Sequence, residues 1–259
     1  MDNFTSVRKP IGLREAVNAI EELCANSVPY ENTKITPILV ELDAGNGQTT
    51  FAKYVAQMMI KHKVRQVVGL TTYLEFTVST REDQMQMIFG DIARSARGVN
   101  NFESVILFDV TALCDCIHEK QTNYFLMRLQ EVAKHAVVLL CISPSKVKNA
   151  AKRDELKNKL KANIHGLQTV EVNPYTNSEL TQMVLAKLDD YGVDIVDEDI
   201  FTEKLEQVVA GRTLSFARET EVIAETLVKE ASVGRFSAVL DVDGLARAFP
   251  NICRKGVVA

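Results

Sequence analysis

Short apolar runs rich in β-formers alternate with longer stretches of helical period through the first two thirds of the chain, and at Asn173-Pro174-Tyr175 the alternation stops. The runs are Thr36–Leu42, Gln66–Leu70 with an optional continuation through Tyr73–Val78, Ser104–Val110, Ala136–Ile142 and Gln168–Val172. Each is separated from the next by enough residues for a crossover, which is the pattern of a parallel sheet with helices on both faces. The third and fourth runs are apolar without a break, so both of their faces are expected to be buried.

The intervening stretches read as amphipathic helices. Leu13, Ala16, Val17, Ile20, Leu23 and Cys24 recur at three and four residues, and Arg14, Glu15, Glu21 and Glu22 fall on the other face. Thr80–Asp83 can cap a helix whose Met85, Ile88, Phe89, Ile92 and Ala96 form one stripe, with Gly98 as its stop. Beyond Asn173 only helical patterns follow. Thr176-Asn-Ser-Glu179 is a capping box, and Leu180, Met183, Val184, Leu188 and Tyr191 succeed it at helical spacing. Phe201–Ala210 then stops at Gly211, Ser215–Ala231 carries Phe216, Ile223 and Leu227, and a short segment runs through Leu245–Phe249. The expected organisation is an α/β domain over residues 1–172 and a small all-α domain over residues 173–259.

Composition narrows the function classes. With 30 Lys plus Arg against 34 Asp plus Glu, the formal charge of −4 removes the bulk attraction typical of nucleic-acid and anionic-membrane binders, so nucleic acid is an unlikely but not excluded partner. Five cysteines at 24, 114, 116, 141 and 253 form no disulfide framework, which suits a cytoplasmic protein. No apolar run approaches the ~20 residues of a membrane-spanning helix, and no signal peptide opens the chain.

The chemistry-bearing segment is the strand-to-helix loop. Pro37–Leu42 runs into Asp43-Ala-Gly-Asn-Gly-Gln-Thr-Thr50 and then into a helix beginning near Phe51. Glycines there let backbone amides converge on phosphate oxygens, and the helix N-terminus adds its positive end. Set against G-x-x-x-x-G-K-[ST], Gly47 takes the second glycine and Thr49 the Mg²⁺-ligand hydroxyl, while Leu42 replaces the first glycine and Gln48 the lysine. A glutamine can hydrogen-bond but supplies no cation. Asp43 would repel phosphate unless it points away or pairs with a base. A tight turn that merely caps a helix is the competing reading of these residues.

Further features follow in a telling order. Ser104–Asp109 resembles a Walker B strand with Asp109 at its carboxyl end; Ser143, at the end of the next strand, matches the sensor 1 position. Gly211–Glu219 resembles a sensor 2 segment with Arg218, and Ile11–Ala16 resembles the stretch before the first strand. Together, nearly the whole chain resembles an AAA+ module of the P-loop NTPase class, a parallel five-stranded α/β domain followed by a helical lid. The resemblance implies Gly45, Asn46, Gly47, Gln48, Thr49, Thr50 and Arg218 as nucleotide contacts, Asp109 and Ser143 as catalytic groups, and Thr49 and Asp109 as Mg²⁺ ligands if nucleotide binds.

The chain departs from that pattern where hydrolysis is most sensitive. Val110 stands where the family places a glutamate after the Walker B aspartate, and valine is no base. With Gln48 and Val110 together, two contributions commonly worth ~10² or more each are absent. The expectation is an AAA+-like protein that binds nucleotide weakly or not at all and acts through assembly, with protein or its own copies as partner. ATP or ADP with Mg²⁺ and no cofactor at all stay equally open. The alternatives are an active ATPase in which a neighbouring subunit or an acid such as Asp115 supplies the missing chemistry, and a DNA-associated accessory factor. Arg153 occupies a place open to an arginine finger, although the lysine-rich run from Lys146 to Lys161 reads more simply as a solvated helix face. Arg218 could also pair with Asp43 in place of a phosphate. Cys114-Asp-Cys116-Ile-His118 lacks zinc-ligand spacing. Met87, off the core stripe, is a candidate subunit contact.

Overall fold

The structure is a computed structural model that describes residues 9–26, 37–62, 72–97, 104–134, 136–212, 214, 217–231 and 238–253. The expected segment Gln66–Leu70, the stop at Gly98, and Ser215 and Phe216 lie outside the described residues. The chain divides into two compact units, Met1–Val172 and Asn173–Ala259.

In the first unit, α1 (Arg14–Ala25) precedes β1 (Ile38–Glu41), α2 (Gln48–Lys61), β2 (Thr72–Thr77), α3 (Glu82–Arg97) and β3 (Ser104–Asp109). A 3₁₀ turn over Thr111–Asp115 leads to α4 (Lys120–Val132), β4 (Val137–Ile142), α5 (Ala150–Asn163) and β5 (Gln168–Val170). The five strands lie in the order β2-β3-β4-β1-β5, and every pair is parallel. The loop-bearing strand β1 is thus flanked by β4 on one side and β5 on the other, so whatever follows β4 stands next to the loop after β1.

Alternation along the strands separates two faces. Leu39, Ile106, Phe108, Val138, Leu140 and Ile142 point into one core with Met85, Phe89 and Ile92 of α3, Phe125 and Leu129 of α4, and Leu156 and Leu160 of α5. Phe108 is its pivot. Its ring lies 5.5 Å from that of Phe125, edge to face, and 5.9 Å from that of Phe76. The other face, with buried Ile38, Val40, Leu107, Leu139 and Cys141, is covered by α1 and α2 through Ile20, Phe51, Val55 and Met59.

The second unit contains α6 (Asn177–Asp190), α7 (Glu198–Arg212), α8 (Glu219–Ala231), α9 (Val242–Ala248) and α10 (Pro250–Cys253). The capping box forms as read: Thr176 Oγ1 accepts from the Glu179 N–H at 3.2 Å, and Glu179 accepts from the Thr176 N–H at 2.8 Å. Leu180, Val184, Phe201, Leu205, Ile223, Leu227 and Leu245 make the core. Gly211 does not stop α7, which runs one residue further; a Cβ there would come within 3.0 Å of the Ile252 side chain, so close packing accounts for the glycine. Among the described residues of the unit the only strands form a two-residue parallel ladder, β6 (Asp194–Ile195) with β7 (Val239–Leu240). Two residues are too few to carry a period-two signal.

Candidate functional site

The carboxyl ends of β1, β3 and β4 converge on one corner. β1 continues to Leu42, whose N–H donates to the Ile142 carbonyl at 2.9 Å, and the chain then turns through Asp43–Gly47 into α2. The turn closes with the Asn46 N–H on the Asp43 carbonyl at 3.0 Å. Gly45 and Gly47 have φ of 94° and 89°, a left-handed conformation in which a side chain is strained, so both glycines are demanded by the backbone. α2 begins at Gln48, a turn earlier than its apolar period suggests, which places Thr49 and Thr50 in its first turn.

Gln48 is buried and turned inward. Its Nε2 donates to the Leu42 carbonyl at 2.5 Å and lies 3.0 Å from Cys141 Sγ of β4. The side chain that replaces the lysine therefore ties the loop's own entry and exit together. Cys141, read from sequence as a plain strand residue, also reaches the Leu42 carbonyl at 3.3 Å. Burial, and then the nearby Asp109 charge, push its thiol up, so it stays protonated.

Asp43 is tied to the chain that emerges from β4. Its Oδ1 accepts from Ser143 Oγ at 2.6 Å and from the Ser145 N–H at 2.8 Å. Burial works to raise this carboxyl, but the bonds from Ser143 and Ser145 and the charge of Lys146 prevail and hold it below the usual aspartate range. Ser143, fully buried, thus donates a hydrogen bond from its hydroxyl to Asp43 Oδ1, while its N–H donates to Thr111 Oγ1 at 2.9 Å.

Asp109 ends β3 as the motif order implies. Its Oδ1 accepts from the N–H of Thr111 at 3.1 Å and from the Thr111 hydroxyl, and its Oδ2 lies 3.2 Å from Lys146 Nζ. Val110 is in the core and brings no acid to the site. Thr49 Oγ1 donates to Glu75 Oε2 of β2 at 3.0 Å. The register that sets Thr77 beside Asp109 puts Glu75 two residues earlier on the same face.

These residues do not fit a divalent metal as they stand. Both Asp109 oxygens and the Thr49 hydroxyl have protein partners, and the cation at the corner is an ammonium. Among the described residues no group of three or more His, Cys, Asp or Glu side chains could hold a metal ion. Cys114 and Cys116 are buried, and His118 instead meets Glu155 at 2.6 Å.

Other expectations change. Asp115 is engaged by Lys152 at 2.9 Å. Arg153 is neither a projecting finger nor part of a solvated face: it donates to the Val147 carbonyl at 2.5 Å and sits 3.7 Å from Glu41, which Lys157 also approaches at 3.2 Å. In the run from Lys146 to Lys161, Lys146, Lys152, Arg153, Lys157 and Lys159 meet acids or carbonyls, while Lys148 and Lys161 are exposed as the solvated-face reading expects. Arg218 belongs to the second unit, exposed in the turn before α8. Lys146, Thr111 and Glu75 are the site residues that sequence reading missed. For Lys146 a signal existed, since it follows the strand beside β1 by four residues, where chain emerging from β4 borders the loop.

No protein-family model matches the sequence, and neither does any curated protein. Solved structures do. Domain III of the Thermotoga maritima replication initiation protein DnaA is similar with TM-score 0.57 at 13% identity, over 95% of this chain and 94% of that one. The Aeropyrum pernix ORC1 protein, solved in complex with DNA, gives 0.56 at 12% identity over 98% and 69%. C. elegans PCH-2 gives 0.54 at 14% over 93% and 68%. At such identities the likeness speaks to fold alone. These neighbours are AAA+ ATPases, and with the parallel sheet order and the strand-loop-helix at Gly45–Gly47 they establish that this chain has the AAA+ P-loop fold.

Proposed function

We propose that this chain binds nucleotide weakly or not at all and works through assembly with protein partners and conformational coupling. The observation that carries the reading is Gln48, whose amide closes the loop on the Leu42 carbonyl and Cys141 in the place of a phosphate-facing lysine. The rest of the corner agrees with it: Asp43 is held by Ser143 and Ser145, and Asp109 by Thr111 and Lys146. Gly45, Asn46 and Gly47 then serve as a structural turn, and Thr49 and Thr50 as part of the first turn of α2. Met87 on α3 and Met127 on α4 are 65% and 53% exposed, and adaptable apolar side chains of this kind suit a protein contact. A structure described as the basis for katanin self-assembly is among the similar folds, at TM-score 0.53 and 13% identity.

Calorimetric titration of the wild-type chain with Mg·ATP tests the reading. The expected result is no saturable binding below about 1 mM. Micromolar binding, with steady-state turnover abolished by Asp109→Asn, would overturn it. The same sample in analytical ultracentrifugation, with Met87→Glu and Met127→Glu beside it, tests the assembly half.

One observation favours a second reading. Glu75 brings a carboxylate to Thr49, so an active ATPase with unusual acids would draw on Glu75 rather than Asp115. Hydrolysis lost in Glu75→Gln would select that reading.

A further inference from the structure

We propose that Lys146 is the resident counter-ion of Asp109: its ammonium supplies the positive charge that a divalent cation brings to this position in a working P-loop site, and so the corner is metal-independent by construction. This deepens the proposed function and rests on it in one respect, that the corner serves structure rather than hydrolysis.

The path that brings Lys146 there is built into the backbone. After β4 the N–H groups of Lys146 and Val147 both approach the Ser143 carbonyl, at 3.2 and 3.4 Å, which bends the chain sharply over the carboxyl ends of the strands. Arg153 fixes the far side of the bend through the Val147 carbonyl. Lys146 Nζ then reaches Asp109 Oδ2 at 3.2 Å. The other oxygen is closed by the N–H and hydroxyl of Thr111, and that hydroxyl accepts from Ser143 in turn. Cation, carboxylate and bend are therefore one connected set.

Burial tells which partner needs the other. The Asp109 side chain is 11% exposed and that of Lys146 is 52% exposed, so the carboxylate is the fixed group and the ammonium reaches down to it from the solvent side. A carboxylate this deep requires a counter-charge. The same ammonium also acts on Asp43, where its charge helps keep the carboxyl ionised. A divalent ion would have to displace Lys146 from Oδ2, because two cations a few ångströms apart repel. Being tethered, the lysine is at high effective concentration beside Asp109, and a chelator cannot remove it.

The experiment is Mn²⁺ titration of the full ¹⁵N-labelled chain without nucleotide, following the amides of Val110 and Thr111, since paramagnetic broadening reports even a weak site. Wild type is expected to show no selective broadening there. Lys146→Met and Lys146→Gln are both expected to acquire saturable broadening at those amides. Lys146→Arg, which keeps the cation, should behave as wild type, and Lys146→Met combined with Asp109→Asn should lose the effect. The cross-peaks away from the corner verify that each variant is folded, and Lys146→Arg, which keeps the counter-charge, is the control for any loss of stability. Selective broadening of wild type at the Mn²⁺ concentration that broadens the Met variant would overturn the assignment, as would its absence from both charge-free variants. The two proposals fail separately. Tight ATP binding that persists in excess chelator removes the proposed function and leaves the lysine in place; binding that demands Mg²⁺ removes both.

Discussion

Asp43 offers the sharpest test of how the corner is held, because its charge and its shape can be removed separately. In Asp43→Ala the buried Ser143 hydroxyl and the Ser145 N–H both lose the oxygen they meet at 2.6 and 2.8 Å. Hydrogen bonds to a charged acceptor contribute about 1.5–3 kcal/mol each. Ser143 is fully buried and finds no water, whereas Ser145 is exposed and recovers part of its bond from solvent, so the expected loss is about 2–4 kcal/mol. Asp43→Asn keeps an oxygen in place and removes only the charge, so its penalty should be smaller, about 1–2 kcal/mol at neutral pH. The sign with pH follows from the direction of the shift. Asp43 has a folded pKa below its ordinary value, so its contribution is complete above the unfolded value of about 3.9 and is lost as pH falls through the lower folded value. Urea unfolding across an acid series should therefore show the Asp43→Asn penalty fading once the wild-type carboxyl is protonated. An unchanged penalty in acid, or none at neutral pH, would refute the arrangement of Asp43 between Ser143 and Ser145.

Other substitutions probe the remaining joints. Gln48→Leu keeps the volume but strips the Leu42 carbonyl of its amide donor, and denaturant unfolding should register a loss of about 1–3 kcal/mol; a neutral outcome would mean that the inward glutamine is not structural. Phe108→Ala removes the ring shared by Phe76, Phe89 and Phe125 and should cost about 3–5 kcal/mol in the same assay. Thr176→Ala breaks the reciprocal cap of α6, with an expected cost of about 1 kcal/mol and increased exchange of the amides in the first turn.

What could be read without coordinates was whatever is local. The runs at Ser104–Asp109 and Val137–Ile142 are apolar residue after residue and needed no partner to be recognised; the cap at Thr176 and Glu179 spans three residues. The corner is different in kind. Gln48 meets Cys141 across 93 residues, and Asp43 meets Ser143 across 100, so no window along the chain contains either pair. Lys146 and Asp109 are 37 apart, and the polar surroundings of Lys146 disguised it as one more surface lysine. Its position four residues past the end of β4, rather than its type, was the usable sign.

The substitutions at this corner also explain one another. In a working P-loop site a lysine and a divalent metal face the phosphates with one aspartate behind them, a balance of two positive charges. Here Asp43 and Asp109 face Lys146, a balance of one negative. Each unit charge at about 4 Å is worth on the order of 4 kcal/mol at an effective dielectric near 20, so under the proposed function a polyphosphate is expected to find this corner less favourable by several such increments. Changing Gln48 alone to lysine would not reverse this balance, since Lys146 would still occupy Asp109 and Asp43 would still carry its charge. It would also set an ammonium in the buried place where the glutamine amide now meets the Leu42 carbonyl. Gln48→Lys is therefore expected to leave ATP titrations flat while lowering stability. A saturable isotherm in that single variant would show instead that the lysine was the one missing part.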